Sequence, residues 1–382
     1  MHANLIKKFH SFYSTSPRIF RAPGRINLIG EHTDYNDGFV LPGAIDKSID
    51  FAMGLNDNMT FRFFSLDYDE FYETEEIAKD ESHPHWVKYL IGVLAQFQKE
   101  GISLKGVDCV FGGNIPVGAG LSSSAAIECG FAFGLNALLG IKIPEYQLVK
   151  MAQKAEHEYA GVMCGIMDQF ASMFGKEDHV FRLDCRTHEH EYFPLKMDDH
   201  VIALCDTRVK HALASSEYNQ RRMECEKGVE ILRQYDPKII ALRDVNIQML
   251  EKYKAYFDPV VWKRCHYVVS ENSRVEMACK MLQEGKLEAF GQLMYQSHEG
   301  LKLEYEVSCK ELDTLVNIAH SMDKVVGARM MGGGFGGCTI NLVKSSGIEY
   351  FKKEITSQYH DHFNKEPLIY FVKLTDGTHE LK

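Results

Sequence analysis

The sequence predicts an α+β fold built from two domains. Its 382 residues exceed the ~150 residues that one ordinary hydrophobic core organises, so about two domains are expected. Strand-like patterns dominate the start of the chain, helical patterns follow, and strands return near the C-terminus. A change of pattern near residue 195 divides the chain into domains of residues 1–195 and 196–382.

The predicted elements follow from short runs of β-branched or aromatic residues and from helical spacing of apolar ones. The predicted strands are 18–22, 26–29, 48–53, 59–65, 106–111, 180–184, 200–205, 339–343 and 368–372. The predicted helices are 86–97, 123–139 and 144–157, with a helix-rich region from 207 to about 319.

Composition and charge narrow the class of protein. The chain is 45% apolar and 25% charged, which is typical of a folded globular protein. Lys and Arg total 43 against 53 Asp and Glu, a net charge of −10 without a basic tract, so nucleic acid is a poor partner. The apolar stretch 125–143 contains Glu128 and Lys142, so it falls short of a membrane span and no membrane partner is expected.

The ten cysteines argue against a zinc site. Each is at least fourteen residues from the next, so no closely spaced metal-binding pair exists. Several lie in apolar runs, and residues 1–8 do not resemble a signal peptide. We therefore expect reduced core thiols and a cytoplasmic location.

A glycine- and serine-rich loop occupies residues 116–124, Pro-Val-Gly-Ala-Gly-Leu-Ser-Ser-Ser, before an apolar helix. Gly118 and Gly120 would let a ligand approach the backbone, and the serines would put hydroxyls on the first helical turn, where the dipole favours an anion. The loop predicts a phosphate site. It is neither a Walker A loop nor a dinucleotide fingerprint. An ordinary serine-capped helix is the alternative.

A second glycine cluster, at 327–337, formally contains G-x-G-x-x-G at Gly332, Gly334 and Gly337. A strand-like run follows it instead of a helix, so the context of a dinucleotide site is absent and a nicotinamide oxidoreductase is disfavoured. We expect this loop to pack tightly against a ligand or against the other glycine loop. A flexible hairpin is the alternative.

A dense polar group follows a buried strand and comprises Arg25, Glu31, His32 and Asp34. Each hydroxyl of a sugar needs a placed donor or acceptor, and carboxylates accept strongly. The group therefore predicts a sugar pocket. A metal site and a solvated turn are the alternatives, although the spacing is not that of His-Glu-x-x-His.

Two further acids, Glu156 and Asp168, stand among apolar neighbours. Burying a lone carboxylate is expensive, so each must be paired or catalytic. The simpler alternatives are solvent exposure for Glu156 and helix N-capping for Asp168.

The segments at 24–35, 116–126 and 327–337 resemble, in this order, the three motifs of the GHMP small-molecule kinases, and the first resembles the galactokinase signature. Together they span most of the chain. The resemblance implies an N-terminal ribosomal-S5-domain-2-like domain, a C-terminal ferredoxin-like domain, and an active site in the cleft between them. It also implies ATP and Mg²⁺ as cofactors and phosphorylation of the anomeric hydroxyl of α-D-galactose.

The resemblance assigns roles by position. Arg25 and Asp168 match a catalytic pair, in which Asp168 could take the hydroxyl proton or only orient the nucleophile. Ser124 and Glu156 match Mg²⁺ ligands, although Ser123 could replace Ser124. The residues that match sugar contacts are Glu31, His32, Asp34, Gly165 and Tyr218. The residues that match ATP contacts are Trp86, Tyr89, Pro116, Gly118, Ala119, Gly120, Leu121, Ser122, Ser123 and Ser124.

Two alternatives to a galactose kinase stay open. A kinase of the same fold could act on N-acetylgalactosamine or L-arabinose, because pocket shape decides whether a bulky substituent is accepted. A silent sensor of galactose and ATP is the other, although Arg25, Ser124, Glu156 and Asp168 fill the positions that catalysis would need. The oligomeric state is undetermined, with a monomer preferred.

Overall fold

A computed structural model describes residues 2–116, 118–195, 197, 199–209 and 214–382. Helices and strands are mixed along the chain, as the α+β prediction requires. The α-helices of these residues are α1 (His2–Phe12), α2 (His85–Lys99), α3 (Ser123–Leu139), α4 (Glu145–Ala155), α5 (Met167–Phe174), α6 (Ala214–Arg233), α7 (Ile247–Tyr253), α8 (Pro259–Gln283), α9 (Leu287–Leu303), α10 (Lys310–His320) and α11 (Ile348–Phe363). The strands are β1 (Arg18–Asn27), β2 (Phe39–Val40), β3 (Pro42–Asn56), β4 (Phe61–Ser65), β5 (Glu70–Thr74), β6 (Gly106–Gly113), β7 (His179–Asp184), β8 (His190–Pro194), β9 (His200–Asp206), β10 (Val325–Met330), β11 (Cys338–Lys344), β12 (Leu368–Val372) and β13 (His379–Leu381).

The strands of the described residues form three sheets. The largest has the order β13-β1-β3-β6-β4-β5 and is antiparallel except between β4 and β6. An antiparallel sheet of order β10-β11-β9-β12 lies in the C-terminal half, and a small sheet has the order β2-β7-β8. We use "N-terminal half" for the chain up to β8 and "C-terminal half" from β9 onward.

The predicted boundary between residues 195 and 196 falls between β8 and β9, which belong to different sheets. That boundary stays a prediction. The end of the chain returns to the N-terminal half, because β13 pairs with β1 and sets Ile19 opposite Leu381.

The predicted strand 18–22 lies within β1, and the predicted strand 26–29 overlaps the same strand only at Ile26 and Asn27. The pairing of β1 with β3 is irregular between Pro23 and Arg25, where proline supplies no N–H to the ladder. Beyond the end of β1, Leu28 and Ile29 still hydrogen bond through their backbones to Leu41. The irregularity lets one extended segment run from the sheet to the polar group that begins at Arg25.

Helix α3 lies unusually close to the large sheet. A Cβ added to Gly130 would lie 2.2 Å from a ring carbon of Phe51, and one added to Gly134 would lie 2.5 Å from the sulfur of Met53. These glycines stand one turn apart on the same helix face. Close packing therefore seats α3 on the sheet and so positions the glycine loop that precedes Ser123.

The two halves share an apolar core. Besides the large sheet and α2 to α5, that core includes Phe290, Met294 and Met331 from the C-terminal half. A second cluster lies among the helices α6 to α9, and a third lies between the C-terminal sheet and α10 and α11. The shared core holds the second glycine cluster beside the first. Among the described residues, no helix has the length and apolar character needed to cross a membrane.

Candidate active site

A polar cavity of about 170 Å³ lies between the two halves. Residues that are far apart along the chain form its wall, as the sequence motifs predict. The predicted site residues in the wall are Arg25, Glu31, His32, Asp34, Glu156, Asp168 and Tyr218. The wall also contains Val162, Cys164 and Met167, to which the sequence assigned no role. Gly332 and Gly333 complete it and belong to the second glycine cluster, which was expected to pack against a ligand or against the other glycine loop.

Arg25 and Asp168 form a paired cation and carboxylate in this wall. Nε of Arg25 donates to Oδ1 of Asp168 at 2.7 Å, and Nη2 donates to Oδ2 at 2.9 Å. The pair is tied to the glycine loop, because Nη1 of Arg25 donates to the carbonyl of Gly120 and the Ser122 hydroxyl donates to Asp168. Asp168 lies in the first turn of α5 after the N-cap Ile166, so it is not the N-cap itself.

The loop before α3 has the backbone that a phosphate site needs. Gly118 and Gly120 adopt left-handed φ angles of 81° and 73°, and the N-cap Ser122 has φ 57°. A Cβ added to Gly118 would meet nothing within 4 Å, so the space beside it is open. The N–H groups in the first turn of α3 have no partner within the helix. Val117 lies outside the described residues.

The two glycine loops face each other, as predicted. A Cβ added to Gly332 would lie 3.6 Å from the carbonyl oxygen of Gly120, and one added to Gly337 would lie 3.9 Å from the carbonyl oxygens of Ala119 and Gly118. The second cluster is therefore a close neighbour of the first.

Glu31 is buried and held by groups from the C-terminal half. Its Oε1 accepts from Nη2 of Arg329 at 2.5 Å and from the backbone N–H of Gly332 at 2.8 Å. Arg329 is itself fully buried and donates to the carbonyls of Leu28 and Asn27. The sequence did not predict Arg329, although it lies within the second glycine motif.

Asp34 stands in a negatively charged part of the cavity. Burial raises the pKa of Asp34 to about 7, and the charges of Asp168 and Glu31 add to the rise. A Cβ added to Gly165 would lie 2.0 Å from Oδ2 of Asp34, so this contact requires glycine. The predicted contribution of Gly165 to sugar binding can therefore act through the space it leaves for Asp34.

This pKa has a measurable consequence for stability. At pH values between about 4 and 7 the folded protein keeps a proton on Asp34 that the unfolded chain has lost, so the proton stabilises the fold. That contribution is lost as the pH rises through about 7. We expect the melting temperature of the ligand-free protein to fall between pH 5 and pH 7, and to fall less steeply in Asp34→Asn. Equal slopes in calorimetry would contradict the assignment.

Glu156 is buried, so the alternative that this side chain is exposed to solvent is wrong. Burial raises the pKa of Glu156 to about 7, and the charge of Asp168 contributes to the rise. Nε2 of Gln169 donates to Glu156 at 2.6 Å and to Glu128 at 3.2 Å. Burial also raises the pKa of Glu128 well above its usual value. The sequence showed Glu128 only as an interruption of an apolar run, and it predicted no role for Gln169.

Three family models match the chain. The "Galactokinase galactose-binding signature" matches residues 7–55, "GHMP kinases N terminal domain" matches 88–176, and "GHMP kinases C terminal" matches 280–360. A galactokinase from Thermotoga neapolitana is 43% identical over 361 residues, which cover 94% of this chain and 99% of that protein. The chain belongs to the galactokinase family of GHMP kinases. A galactokinase from Clostridium beijerinckii is 39% identical over 376 residues, 97% of this chain and 96% of that protein.

Solved structures confirm the two-domain fold of this galactokinase-family chain. A crystal structure of Lactococcus lactis galactokinase complexed with galactose superimposes with a TM-score of 0.96 at 32% identity, over 100% of both chains. Methanococcus jannaschii mevalonate kinase gives a TM-score of 0.64 at 16% identity, over 95% of this chain and all of the other, which shows a shared fold alone.

Trp86 and Tyr89, which match ATP contacts of the family, lie on α2, outside the wall of the cavity. Nε1 of Trp86 donates to Glu70 at 2.7 Å, and its ring centroid lies 5.5 Å from that of Phe111. Tyr89 is buried, with its ring centroid 5.2 Å from that of His85. Contact of Trp86 and Tyr89 with ATP stays a prediction.

Proposed function

We propose that the protein transfers the γ-phosphoryl group of ATP to the anomeric hydroxyl of α-D-galactose, giving galactose 1-phosphate and ADP. The observation that carries this proposal is the bidentate Arg25–Asp168 pair, bound through Gly120 and Ser122 to the glycine loop. In this proposal, the carboxylate of Asp168 is a proton acceptor next to the glycine loop, whose backbone suits a phosphate. The names of the relatives support the choice of reaction, and the galactose complexed with the Lactococcus lactis protein supports the choice of sugar.

Phosphoryl transfer depends mainly on positioning and on neutralising charge, because little covalent chemistry falls to the protein. Arg25 supplies a fixed cation beside the transferred group. Arg25 donates to both oxygens of Asp168 and so fixes the orientation of this carboxylate in the cavity wall. From there it takes the proton of the sugar hydroxyl or orients that hydroxyl for attack.

Other polar residues of the cavity wall suit a sugar. The carboxylates of Glu31 and Asp34 can accept from hydroxyls. Burial lowers the pKa of His32 to about 3, so the ring is neutral at pH 7 and contributes a hydrogen bond without a charge. We propose that these three residues and Tyr218 bind galactose.

We propose further that the triphosphate lies along residues 118–124 and that Glu156 and Ser124, or Ser123 in its place, hold Mg²⁺. The described residues contain no group of three acidic, histidine or cysteine side chains that could hold a metal alone. Mg²⁺ commonly takes one or two carboxylates together with water and phosphate oxygens, so Glu156 suits it. Glu128 lies next to Glu156, and its Oε1 is buried without a hydrogen-bond partner among the described residues, but its raised pKa favours the neutral acid, so we do not propose it as a metal ligand. When bound, Mg²⁺ neutralises charge on the β- and γ-phosphates.

A cytoplasmic location is also proposed, because all ten cysteines are free and reduced thiols are typical of that compartment.

A coupled ADP-release assay with a panel of sugars tests the proposed function. We expect kcat/KM for galactose to exceed that for N-acetylgalactosamine and L-arabinose at least about 10-fold. Release of ADP should require both ATP and Mg²⁺ and should stop when the metal is chelated. ADP release that is independent of sugar, or faster with another sugar, would contradict the proposal.

A further inference from the structure

A chain of hydrogen bonds runs from the cavity into the C-terminal half. Nδ1 of His32 lies 2.6 Å from the hydroxyl of Tyr35, which lies 2.7 Å from the hydroxyl of Tyr305. The Tyr305 hydroxyl in turn lies 3.2 Å from Sγ of Cys225. Tyr305 and Cys225 are fully or almost fully buried, so water does not compete for these groups.

The other ring nitrogen of His32, Nε2, is buried in the cavity wall and has no hydrogen bond of normal geometry among the described residues. The backbone of Gly333, also in the wall, lies close enough to the ring to oppose part of the fall in its pKa. A buried polar atom without a partner is costly, so a ligand in the cavity is its natural partner. Whether Nε2 donates or accepts depends on which ring nitrogen carries the hydrogen.

The chain can run in either direction, because each of its members can donate or accept. The wall of the cavity favours one direction. Glu31 and Asp34 supply acceptors there, so a sugar hydroxyl that gives its hydrogen to a carboxylate needs a donor at its own oxygen. A hydrogen on Nε2 of His32 supplies that donor. Nδ1 then accepts from the Tyr35 O–H, Tyr35 accepts from Tyr305, and Tyr305 accepts from the thiol of Cys225.

We propose that Tyr35 and Tyr305 are positioning residues that hold His32 in the Nε2–H form, so that the ring donates to one hydroxyl oxygen of the sugar. The proposal deepens the function proposed above and rests on it. A hydroxyl that accepts from His32 keeps its own hydrogen for a carboxylate of the same cavity. The two tyrosines come from different halves of the chain, so the orientation of His32 depends on their contact.

The tautomer can be measured without any sugar. In protein labelled with ¹⁵N in histidine, the His32 signals, identified by their loss in His32→Ala, should show hydrogen on Nε2. In Tyr35→Phe the ring loses its donor, and the Nδ1–H form should become populated. A wild-type ring with hydrogen on Nδ1, or an unchanged tautomer in Tyr35→Phe, would overturn the proposal. Because the free protein is used, this result stands even if galactose is not the substrate.

Kinetics supply the second measurement. Loss of one hydrogen bond lowers binding affinity by about 3- to 10-fold. Tyr35→Phe and Tyr305→Phe should therefore raise KM for galactose by that factor and leave KM for ATP unchanged. A deoxygalactose that lacks the hydroxyl bound by His32 should be phosphorylated equally well by the wild type and by His32→Ala. With that deoxygalactose, Tyr35→Phe and Tyr305→Phe should no longer raise KM. An equal penalty with every deoxygalactose would show a purely structural role and overturn the proposal.

A matched control is Tyr359→Phe. Tyr359 is buried, and its hydroxyl donates to the carbonyl of Thr207, away from the cavity. This variant loses a comparable buried hydrogen bond, and its KM for galactose should equal that of the wild type. If Tyr305→Phe fails to fold, Tyr35→Phe still decides the outcome.

Discussion

Asp168→Asn lowers kcat by at least about 100-fold while the protein stays folded. The amide has the shape of the carboxylate and still offers Arg25 an oxygen, but it cannot take a proton and carries no charge to hold the guanidinium. The side chain is partly exposed to the cavity, so little packing is lost. Turnover at saturating ATP and galactose, measured together with thermal unfolding, checks this expectation.

Asp108→Asn is the matched control. Asp108 accepts two hydrogen bonds from Arg62, at 2.7 and 2.9 Å, the same two distances that separate Arg25 from Asp168. This second pair joins neighbouring strands of the large sheet, away from the cavity. Its loss should lower stability and leave kcat within about twofold. Normal turnover in Asp168→Asn would reject the catalytic assignment.

Arg329→Met lowers the free energy of unfolding by about 3–5 kcal/mol. The substitution leaves Glu31 as a buried carboxylate without its cation and removes the donors to the carbonyls of Leu28 and Asn27. Denaturant unfolding measures the loss. Adding Glu31→Gln to this variant should recover part of it, because the uncompensated charge is then gone.

An exposed ion pair provides the comparison. Arg18 and Glu380 are bonded at 2.7 Å, but their side chains are 43% and 39% exposed. Because solvent screens such a pair, Arg18→Met should cost at most about 1 kcal/mol. A loss in Arg329→Met no larger than this would show that the buried pair does not hold the halves together.

The sequence predicted local features well, because they depend on neighbouring residues. The run 123–139 is mostly apolar after the serines at its start, and α3 occupies those residues. Gly118 and Gly120, which were predicted to let a ligand approach the backbone, adopt left-handed φ angles. The predicted strand 26–29 was less accurate, because β1 continues from the preceding run through the irregularity between Pro23 and Arg25 and ends at Asn27.

Contacts between distant residues could not be read from the sequence. Arg329 reaches Glu31 from 298 positions away, and Tyr305 reaches Tyr35 from 270 positions away. Arg329 lies within the second glycine motif, but neither that motif nor the residues around Tyr305 indicate which distant residue each side chain contacts. Gln169 next to Asp168 carries no local signal either, because its role depends on how α5 packs against Glu128 and Glu156.

A crystal structure of the protein with galactose and a non-hydrolysable ATP analogue would show whether the Arg25–Asp168 pair and the glycine loop act on one substrate pair. We expect the anomeric hydroxyl within hydrogen-bond distance of Asp168, with the terminal phosphate between that hydroxyl and the backbone of residues 118–124. A sugar bound outside this cavity, or a triphosphate away from the glycine loop, would refute the proposed function.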